Sequence, residues 1–509
     1  MPTTRSYKRK RTDAPNDEAD RISQLPDHLL HQILSLLPVQ TIAQTSAVSR
    51  RFRSVWSSYP DLDFIKTDHL CPNSPVRYLA SRRDGKIRRR RSKPSSSLND
   101  CVDCVIAHRR KHSDLTSLQF RSRHSFSRLN SLVRYAIRHN VQELNVDVIS
   151  DDPFTFPRSV IASETLRILV LSSTYPGFRL LPPSLMCKGF VKLRTLSLSV
   201  VAAYKQPYLL DLFTESSFPL LENLTMESWL GLEELRIGCR SLKKMTLENC
   251  EQLRRLEIAS PEMEDLKICS CFNVRCKESS VSIIAAPKMK NLTWEYNVLT
   301  GCFKMEEPSS LSEACVGFFG CEEPASERQT QSFCNLLNGT STAKRLKIGT
   351  DTVTLVPEKI HPFQNLIAME VSLRFNDDDL PGFAHLLQSA PRLEALSVNI
   401  VHDWLAERKE SVGDLRELEA SPVTRFWACR RESMEAFLMR VRRVSMHGFR
   451  EREMEVVLVL FLAEHAKAVE EISIRSWHCE LKDSLRRQRV RSQILGFCRS
   501  CCSAKVTFL

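Results

Sequence analysis

The amino-acid sequence predicts an α+β chain in which a small N-terminal module of three helices precedes a curved α/β solenoid. Two observations carry this prediction. The stretch "LPDHLLHQILSLLP", Leu25 to Pro38, concentrates leucine at helical spacing, and a short apolar pattern recurs from about residue 141 onward. With 509 residues, of which 42% are hydrophobic, the chain is long enough to bury an extended core.

The composition argues against several classes of protein. No run of 18 apolar residues occurs, and the first twenty residues lack the apolar region of a secretory signal. We therefore expect a soluble protein of the nucleus or the cytoplasm, without a membrane partner. The 18 cysteines are expected to be reduced thiols, since disulfide frameworks are typical of short secreted chains.

Two basic runs contribute much of the formal net charge of +13. The first run consists of Lys8, Arg9, Lys10 and Arg11. It lies in a tail, residues 1–19, that we expect to be disordered, and it suits a nuclear import receptor; a merely solvated tail is the alternative. The second run, Arg82 to Lys93, indicates a flexible charged loop. It lacks interleaved aromatic residues, so nucleic acid is not the expected partner.

The N-terminal module is predicted to contain three helices. Pro26 and Asp27 favour a helix start, because proline needs no N–H there and a carboxylate interacts favourably with the helix dipole. Pro38 is expected to end this helix. A second helix is predicted around Ile42 to Ala47 and a third around Ser49 to Trp56. The apolar band of the first helix consists of Leu29, Leu30, Ile33, Leu34 and Leu37.

The repeated pattern is apolar, two polar, apolar, one polar, apolar. Its copies begin at Val141, Leu166, Leu193, Leu221, Leu242, Met263, Met289, Ala343, Leu366, Leu393, Val441 and Val469, with a weaker copy at Leu311. The last four residues of each copy alternate as a strand does, with two apolar side chains directed inward. The first spacings, 25, 27, 28, 21, 21 and 26 residues, fall in the range of ~20 to 29 that is typical of leucine-rich repeats.

Interleaved copies at Leu232 and Leu253 halve the period between Leu221 and Met263. Because 10 or 11 residues leave no room for a helix, we expect each coil to carry one strand on the concave wall and another on the opposite side. Cys250 and Cys271 occupy the eighth position after a unit's start, where they are expected to satisfy a turn. The polar wall, with predicted members Arg236, Thr246, Glu257 and Lys267, is the expected binding surface.

At the level of residues, the N-terminal module resembles the plant version of the F-box. The resemblance rests on Leu25-Pro26, Leu29-Leu30, Ile33-Leu34-Ser35, Leu37-Pro38, Thr45-Ser46, Val48 to Arg53, Trp56 and Pro60 to Phe64. Phe52 replaces the usual Trp, and Gln40 stands where Lys is common. The C-terminal strings "FQNLIAMEVSL" and "VRRVSMHGFREREMEVVLVLFLAEHAKAVEEISI" are similar to the FBD region that follows the repeats in many plant F-box proteins.

This resemblance defines the expected domains. They are the basic tail, 1–19; the F-box, 20–64; a helical linker, 65–135, containing the basic loop 82–93; leucine-rich repeats, 136–400; a charged insertion, 401–438; and FBD-like repeats with a cap, 439–509.

The resemblance also implies a function. F-box proteins are receptors of SCF-type ubiquitin ligases, in which the F-box binds a Skp-type adaptor that joins a cullin, and the remaining domain captures a protein substrate. The expected adaptor-binding residues are Leu25, Pro26, Leu29, Leu30, Ile33, Leu34, Leu37, Pro38, Val48, Phe52 and Trp56. Three alternatives remain: the apolar band packs against the protein's own repeats, the chain is a scaffold outside SCF complexes, or, less expected, it binds nucleic acid through Arg82 to Lys93.

Other candidate sites have weaker support. Cys101, Cys104, His108 and His112 follow at i, i+3, i+7 and i+11. On a helix these residues form one long stripe, which cannot surround a single metal ion. Cys498 to Cys502 lack a nearby histidine base, so packing is the preferred interpretation. We expect no catalytic residue, no metal and no cofactor.

Overall fold

The structure is a computed structural model. It describes residues 22, 24–65, 102, 105, 106, 109, 113–122, 126–186, 189–204, 207–274, 278–306, 308–309, 311–319, 325–401, 412, 415–476, 484–501 and 504–509. The chain divides into two compact units. The first contains Met1–Ser122 and Arg138–Gln142, and the second contains Arg123–Ile137 and Glu143–Leu509.

The first unit contains the predicted three helices, followed by a pair of parallel strands. The elements are α1 (Asp27–Leu34), α2 (Val39–Thr45), α3 (Arg50–Ser57), β1 (Asp61–Asp63) and β2 (Ser117–Ser122). Pro26 precedes α1 with a φ of −57°. Ser49 caps α3, because its hydroxyl accepts the N–H of Phe52 at 3.2 Å. Leu30, Leu34 and Trp56 are buried in the module.

Three sequence predictions for this unit need correction. Helix α1 ends at Leu34 rather than at Pro38. Ser35 to Leu37 continue in tighter turns, in which the N–H of Leu37 donates to the carbonyl oxygen of Leu34 at 2.9 Å, and Pro38 restricts the backbone of Leu37 before it. Helix α2 begins at Val39, earlier than expected. Strand β2 lies inside the predicted helical linker. Its neighbourhood, "LTSLQF" from Leu115, repeats the apolar pattern of the later units, and Leu118 and Phe120 are buried.

The main sheet of the second unit consists of parallel strands that are hydrogen-bonded in chain order. They are β3 (Glu143–Val148), β5 (Ile168–Ser173), β7 (Thr195–Ser199), β9 (Asn223–Glu227), β11 (Lys244–Glu248), β13 (Asp265–Cys269), β15 (Asn291–Asn297), β17 (Glu313–Phe318), β18 (Arg345–Ile348), β19 (Ala368–Leu373), β20 (Ala395–Ile400), β21 (Arg443–Phe449), β22 (Glu471–Ser476) and β23 (Lys505–Phe508). Each predicted repeat copy, including the weaker one at Leu311, supplies one of these strands. The predicted α/β solenoid is therefore confirmed.

A second parallel sheet confirms the prediction of two strands in each short coil. Its strands are β8 (Phe213–Thr214), β10 (Glu234–Gly238), β12 (Arg255–Ala259), β14 (Ser280–Ile284) and β16 (Cys302–Met305). The interleaved copies at Leu232 and Leu253 supply β10 and β12, which pair in register. A further two-stranded sheet joins β4 (Phe154–Thr155) to β6 (Phe178–Arg179).

Helices occur where the coils are longer. They are α4 (Phe126–Arg138), α5 (Arg158–Ile161), α6 (Pro183–Met186), α7 (Glu327–Gly339), α8 (Thr350–Val353), α9 (Asp379–Gln388), α10 (Pro422–Arg430), α11 (Glu435–Leu438), α12 (Glu453–His465) and α13 (Ser484–Cys501). Helix α7 begins with a capping box between Ser326 and Gln329. Among the described residues, no helix is both long and apolar enough to cross a membrane.

The predicted charged insertion, 401–438, contributes to the core. Helices α10 and α11 lie in it, and Trp427 of α10 is fully buried. The ring of Trp427 lies 5.9 Å from that of Phe383 and 5.4 Å from that of Phe461. This part of the segment therefore joins the neighbouring coils instead of forming a surface loop.

Candidate functional site

Besides Ile22, which precedes α1 and is 56% exposed, four large apolar side chains of the three-helix module remain exposed on the isolated chain. The exposed fractions are 48% for Ile33, 84% for Leu36, 40% for Leu37 and 75% for Val48. Ile33, Leu36 and Leu37 lie at or just beyond the end of α1, and Val48 lies in the turn before α3. These four residues are called the apolar patch below. Exposed apolar surface of this kind is typical of a protein–protein contact.

The predicted adaptor-binding residues divide by burial. Pro26, Ile33, Leu37 and Val48 are exposed; Leu25, Leu29, Pro38 and Phe52 are partly exposed; Leu30, Leu34 and Trp56 are buried. Residues of the last group support the module from inside and present no surface to a partner in this conformation. Leu36, the most exposed residue of the apolar patch, was not among the predicted residues. The sequence feature that could have identified Leu36 is a leucine in "SLLP" that falls outside the apolar band of the first helix.

Polar contacts hold α1 against α3. The guanidinium of Arg51 forms an ion pair with Asp27 and donates to the carbonyl oxygen of Leu25 at 3.1 Å. The Nε2 atom of His31 lies 3.1 Å from the carbonyl oxygen of Val55. Because the Arg51–Asp27 pair is partly exposed, we expect it to contribute no more than ~1 kcal/mol. Its main effect is to fix the entry of the chain into α1.

The second candidate surface is the outward face of the main sheet, called the wall below. Outward polar positions alternate with buried apolar ones along each strand, as on β3, where the pattern is strictly alternating. Strand register aligns the outward residues into rows. The central row runs through Thr246, Lys267, Thr293, Cys315, Lys347, Glu370, Ser397, Ser445 and Ser473.

Ion pairs connect neighbouring strands across the middle of the wall. The pairs and their N–O distances are Lys244–Asp265, 2.8 Å; Lys267–Glu248, 2.6 Å; Arg345–Glu313, 2.6 Å; and Lys347–Glu370, 3.5 Å. The hydrogen bond to Glu248 raises the pKa of Lys267, and the charge of Glu370 raises the pKa of Lys347. These pairs satisfy the central charges within the chain.

The four predicted wall residues do not share one surface. Thr246 and Lys267 lie on strands of the wall, in one row. Arg236 and Glu257 lie on β10 and β12 of the second sheet, where the Nε of Arg236 and the Oε2 of Glu257 are 2.9 Å apart. The prediction was wrong for this pair, because the interleaved repeat units carry the same apolar pattern as the wall units and differ only in the sheet that they join.

The thiols of Cys250 and Cys271 have the predicted structural role. Both side chains are buried. The Sγ of Cys271 donates to the carbonyl oxygens of Leu247 at 3.3 Å and Cys269 at 3.1 Å. Burial raises the pKa of the Cys271 thiol well above its usual value, so it remains protonated and satisfies the turn.

Several predicted features lie outside the described residues. They are Lys8, Arg9, Lys10, Arg11, the basic loop 82–93, Cys101, Cys104, His108 and His112. Cys498 is buried and Cys501 is exposed, whereas Cys502 is not described. Within the part of the chain that the structure describes, no group of three or more His, Cys, Asp or Glu side chains is arranged to hold a metal ion.

Comparisons with known proteins match both candidate surfaces. Residues 22–63 match the family described as "F-box domain", and residues 129–296 match "FBD-associated F-box protein At5g56370, LRR repeats". The "Putative F-box/FBD/LRR-repeat protein At4g03220" of Arabidopsis thaliana is 37% identical over 521 residues, covering 99% of each chain. From the same organism, "F-box/LRR-repeat protein 25" is 30% identical over 47% of this chain and 76% of its own length.

Proposed function

Because this chain belongs to the F-box/FBD/leucine-rich-repeat family, we propose that it is a substrate receptor of an SCF-type ubiquitin ligase. In this proposal the F-box binds a Skp-type adaptor and, through it, a cullin, while the wall of the repeats captures a protein substrate. The observation that carries the proposal is the apolar patch, because Ile33, Leu36, Leu37 and Val48 leave apolar surface in water on a module of only three short helices.

The energetics of the apolar patch favour a partner. Covering an exposed Leu, Ile or Val side chain fully contributes ~1.5 to 3 kcal/mol, and these four are between two-fifths and more than four-fifths exposed. A cluster of such contacts at the centre of an interface can supply most of its binding free energy. The buried Leu30, Leu34 and Trp56 act indirectly, by fixing the shape that presents the patch.

The chain contributes proximity rather than chemistry in this proposal. Holding a substrate lysine near a charged ubiquitin-conjugating enzyme replaces an encounter in solution by a reaction at high effective concentration. The conjugating enzyme supplies the reactive thioester, so the receptor needs no catalytic side chain of its own.

Introducing negative charge into the apolar patch tests adaptor binding. We expect the double variant Leu36→Asp, Val48→Asp to bind a Skp-type adaptor at least ~100-fold more weakly, because two aspartates would be desolvated at the interface. Both side chains are exposed, so the melting temperature should stay close to that of the parent protein. The measurement is titration of the full-length protein with the adaptor.

Matched controls make this result interpretable. Ile284→Asp places the same change on an exposed apolar residue of the second sheet and should leave adaptor affinity unchanged. Leu34→Ala, at a buried position, should instead lower stability by ~2 to 5 kcal/mol. If the folded double variant binds the adaptor as well as the parent protein, the chain is better described as a scaffold outside SCF complexes.

We also propose that Lys8, Arg9, Lys10 and Arg11 direct the protein into the nucleus. A run of four adjacent cations suits the acidic surface of an import receptor. Replacing all four by alanine in a fluorescent fusion of the full chain should lower the ratio of nuclear to cytoplasmic fluorescence several-fold. The control replaces the four consecutive arginines at 88–91 instead; an equal loss in both variants would contradict a specific role of the first run.

A further inference from the structure

A groove of about 660 Å³ opens on the wall between strands β15 and β22. It forms because neighbouring strands present small side chains there. Ala368 and Ala395 lie side by side in a second row, which runs from Arg345 to Arg443 next to the central row. In the central row, Ser397, Ser445 and Ser473 follow one another. These small residues make a floor between the larger charged side chains on either side.

The charges along one side of the groove are already paired. Arg345 is bound to Glu313, and Lys347 is bound to Glu370. Glu370 also accepts a hydrogen bond from Asn399 at 2.7 Å. A ligand would have to break these contacts to use the same groups, so this side is better suited to shape the groove than to bind a charge.

Arg443, on the other side of the floor, differs from Arg345 and Lys347 in its pairing. It lines the groove, its side chain is exposed, and its guanidinium has no ion-pair or side-chain hydrogen-bond partner among the described residues. Its neighbour in register is Glu471, which is also exposed and forms no ion pair within that same set. The adjacent Arg442, by contrast, lies 3.6 Å from Glu470.

Hydroxyl groups extend the capacity of the groove for an anion. Ser445 and Ser473 lie in the central row, two residues along their strands from Arg443 and Glu471, and neither hydroxyl has a hydrogen-bond partner within the described ranges. Arg475 on β22 and Lys505 on β23 add two exposed cations to this end of the wall. Against Arg443, Arg475 and Lys505 stands the single carboxylate of Glu471, so the local charge is positive.

The opposite end of the wall has the other sign. Outward positions of the described strands β3, β5, β7 and β9 carry the carboxylates of Glu143, Asp147 and Glu227 and no lysine or arginine. An acidic ligand would therefore be repelled from that end and attracted to the groove.

We propose that this groove binds an acidic segment of the substrate in extended conformation, with an Asp or Glu carboxylate held by the guanidinium of Arg443. The proposal rests on the proposed substrate-receptor function and names the chemistry of what the wall selects. Arg443 would offer two parallel N–H donors to one carboxylate, and the serine hydroxyls would donate to carboxylate or main-chain oxygens beside it.

The test is selection of random twelve-residue peptides displayed on phage against the immobilised full-length protein. Asp and Glu should be enriched at least about threefold over the unselected library, because, among the described residues, Arg443 is the unpaired cation of the groove and Arg475 and Lys505 make this end of the wall positive. Arg443→Glu should abolish that enrichment. Arg442→Glu is the matched control, since it reverses the neighbouring charge outside the groove, and it should select the same peptides as the parent protein.

A selected peptide then allows the affinity to be measured. Arg443→Glu should weaken binding at least ~30-fold, whereas Glu471→Gln should tighten it, because it removes the one carboxylate beside Arg443. Replacing the acidic residues of the peptide by their amides should abolish binding. Enrichment of apolar or basic peptides, or acidic enrichment that survives Arg443→Glu, would overturn the proposal. So would a peptide that binds only when phosphoserine replaces its acidic residue.

Failure of this inference is distinguishable from failure of the SCF proposal. Adaptor titration of Arg443→Glu should match that of the parent protein, because the apolar patch is untouched. If acidic peptides bind and the adaptor does not, the groove assignment stands and the ligase assignment falls.

Discussion

Glu455 is a fully buried carboxylate in the first turn of α12. Its Oε2 accepts the backbone N–H of Arg450 at 2.6 Å and of Arg452 at 3.3 Å. These donors belong to a turn in which Glu451 has a φ of 56°, a left-handed conformation that is strained for a residue with a side chain. Asp379 makes the same arrangement at the start of α9, after β19. Both carboxylates therefore fix turns between a strand of the wall and the following helix.

The pKa of Glu455 leads to a pH prediction. Burial raises this pKa from 4.5 to about 7, and the two N–H donors oppose the shift without cancelling it. The folded state then binds the proton more tightly than the unfolded state. Stability should fall as pH rises from about 4.5 to 7, by on the order of 3 kcal/mol from this group.

Glu455→Gln should flatten that dependence, since the amide oxygen still accepts an N–H and does not titrate. Urea midpoints measured at pH 5 and pH 8 would show a smaller difference for the variant than for the parent protein. Glu435→Gln, at an exposed position at the start of α11, is the control. Equal pH dependence in Glu455→Gln and the parent protein would contradict the assignment.

Burial of these carboxylates could not be predicted from the sequence. Asp379 and Glu455 stand in acidic strings, "NDDDL" and "EREME", where the usual expectation for a carboxylate is exposure. What selects the buried member is the position of the N–H groups of the preceding turn, which depends on the path of the backbone. Leu36 was missed for a related reason, because the end of α1 determines its exposure.

At the scale of elements, helix α13 is attached to the preceding coil by an ion cluster. The carboxylate of Glu451, which is fully buried, lies 2.7 Å from a guanidinium nitrogen of Arg491 and 3.7 Å from one of Arg487. Arg491 also donates to the hydroxyl of Ser476 at 2.8 Å. Removing one cation would leave a buried charge with incomplete compensation.

Arg491→Met should therefore destabilise the attachment of α13 by ~3 to 5 kcal/mol. Amide hydrogen exchange should accelerate in α13 and the neighbouring β23, with less change in strands β3 to β9, because each coil of a solenoid contacts mainly its neighbours. Arg499→Met, at an exposed position of the same helix, should leave exchange unchanged. Uniform acceleration throughout the repeats would indicate a different mode of destabilisation.

Elements with strict periodicity were predicted well. Each apolar repeat copy forms a strand because its alternation of apolar and polar residues matches the pleat of a sheet. The 21-residue spacing predicted the second sheet, because a half-period of 10 or 11 residues leaves no room for a helix. Helices α10 and α11 were missed because 14 charged residues are spread among the 17 apolar residues of segment 401–438. The contribution of Trp427 also depends on Phe383 and Phe461, which are distant in sequence. Assignment of Arg236 and Glu257 to the wall failed because the two kinds of strand share one pattern.

At the level of the whole molecule, the two proposed binding surfaces depend on different physical terms. The apolar patch of the F-box is uncharged and should bind by the hydrophobic effect, with little dependence on salt. The groove near Arg443 should bind through charge, so the affinity of its peptide ligand should fall as ionic strength rises. The contact expected throughout the family and the contact proposed to select a substrate should therefore respond differently to salt.

The central claim is that this chain is a receptor subunit that an adaptor recognises through the apolar patch. Calorimetric titration of the purified full-length protein with a Skp-type adaptor tests it most directly. We expect saturable 1:1 binding with a negative heat-capacity change, as burial of apolar surface requires, and loss of that binding in the Leu36→Asp, Val48→Asp variant. Absence of binding by the folded parent protein, or unchanged binding by the folded variant, would contradict it.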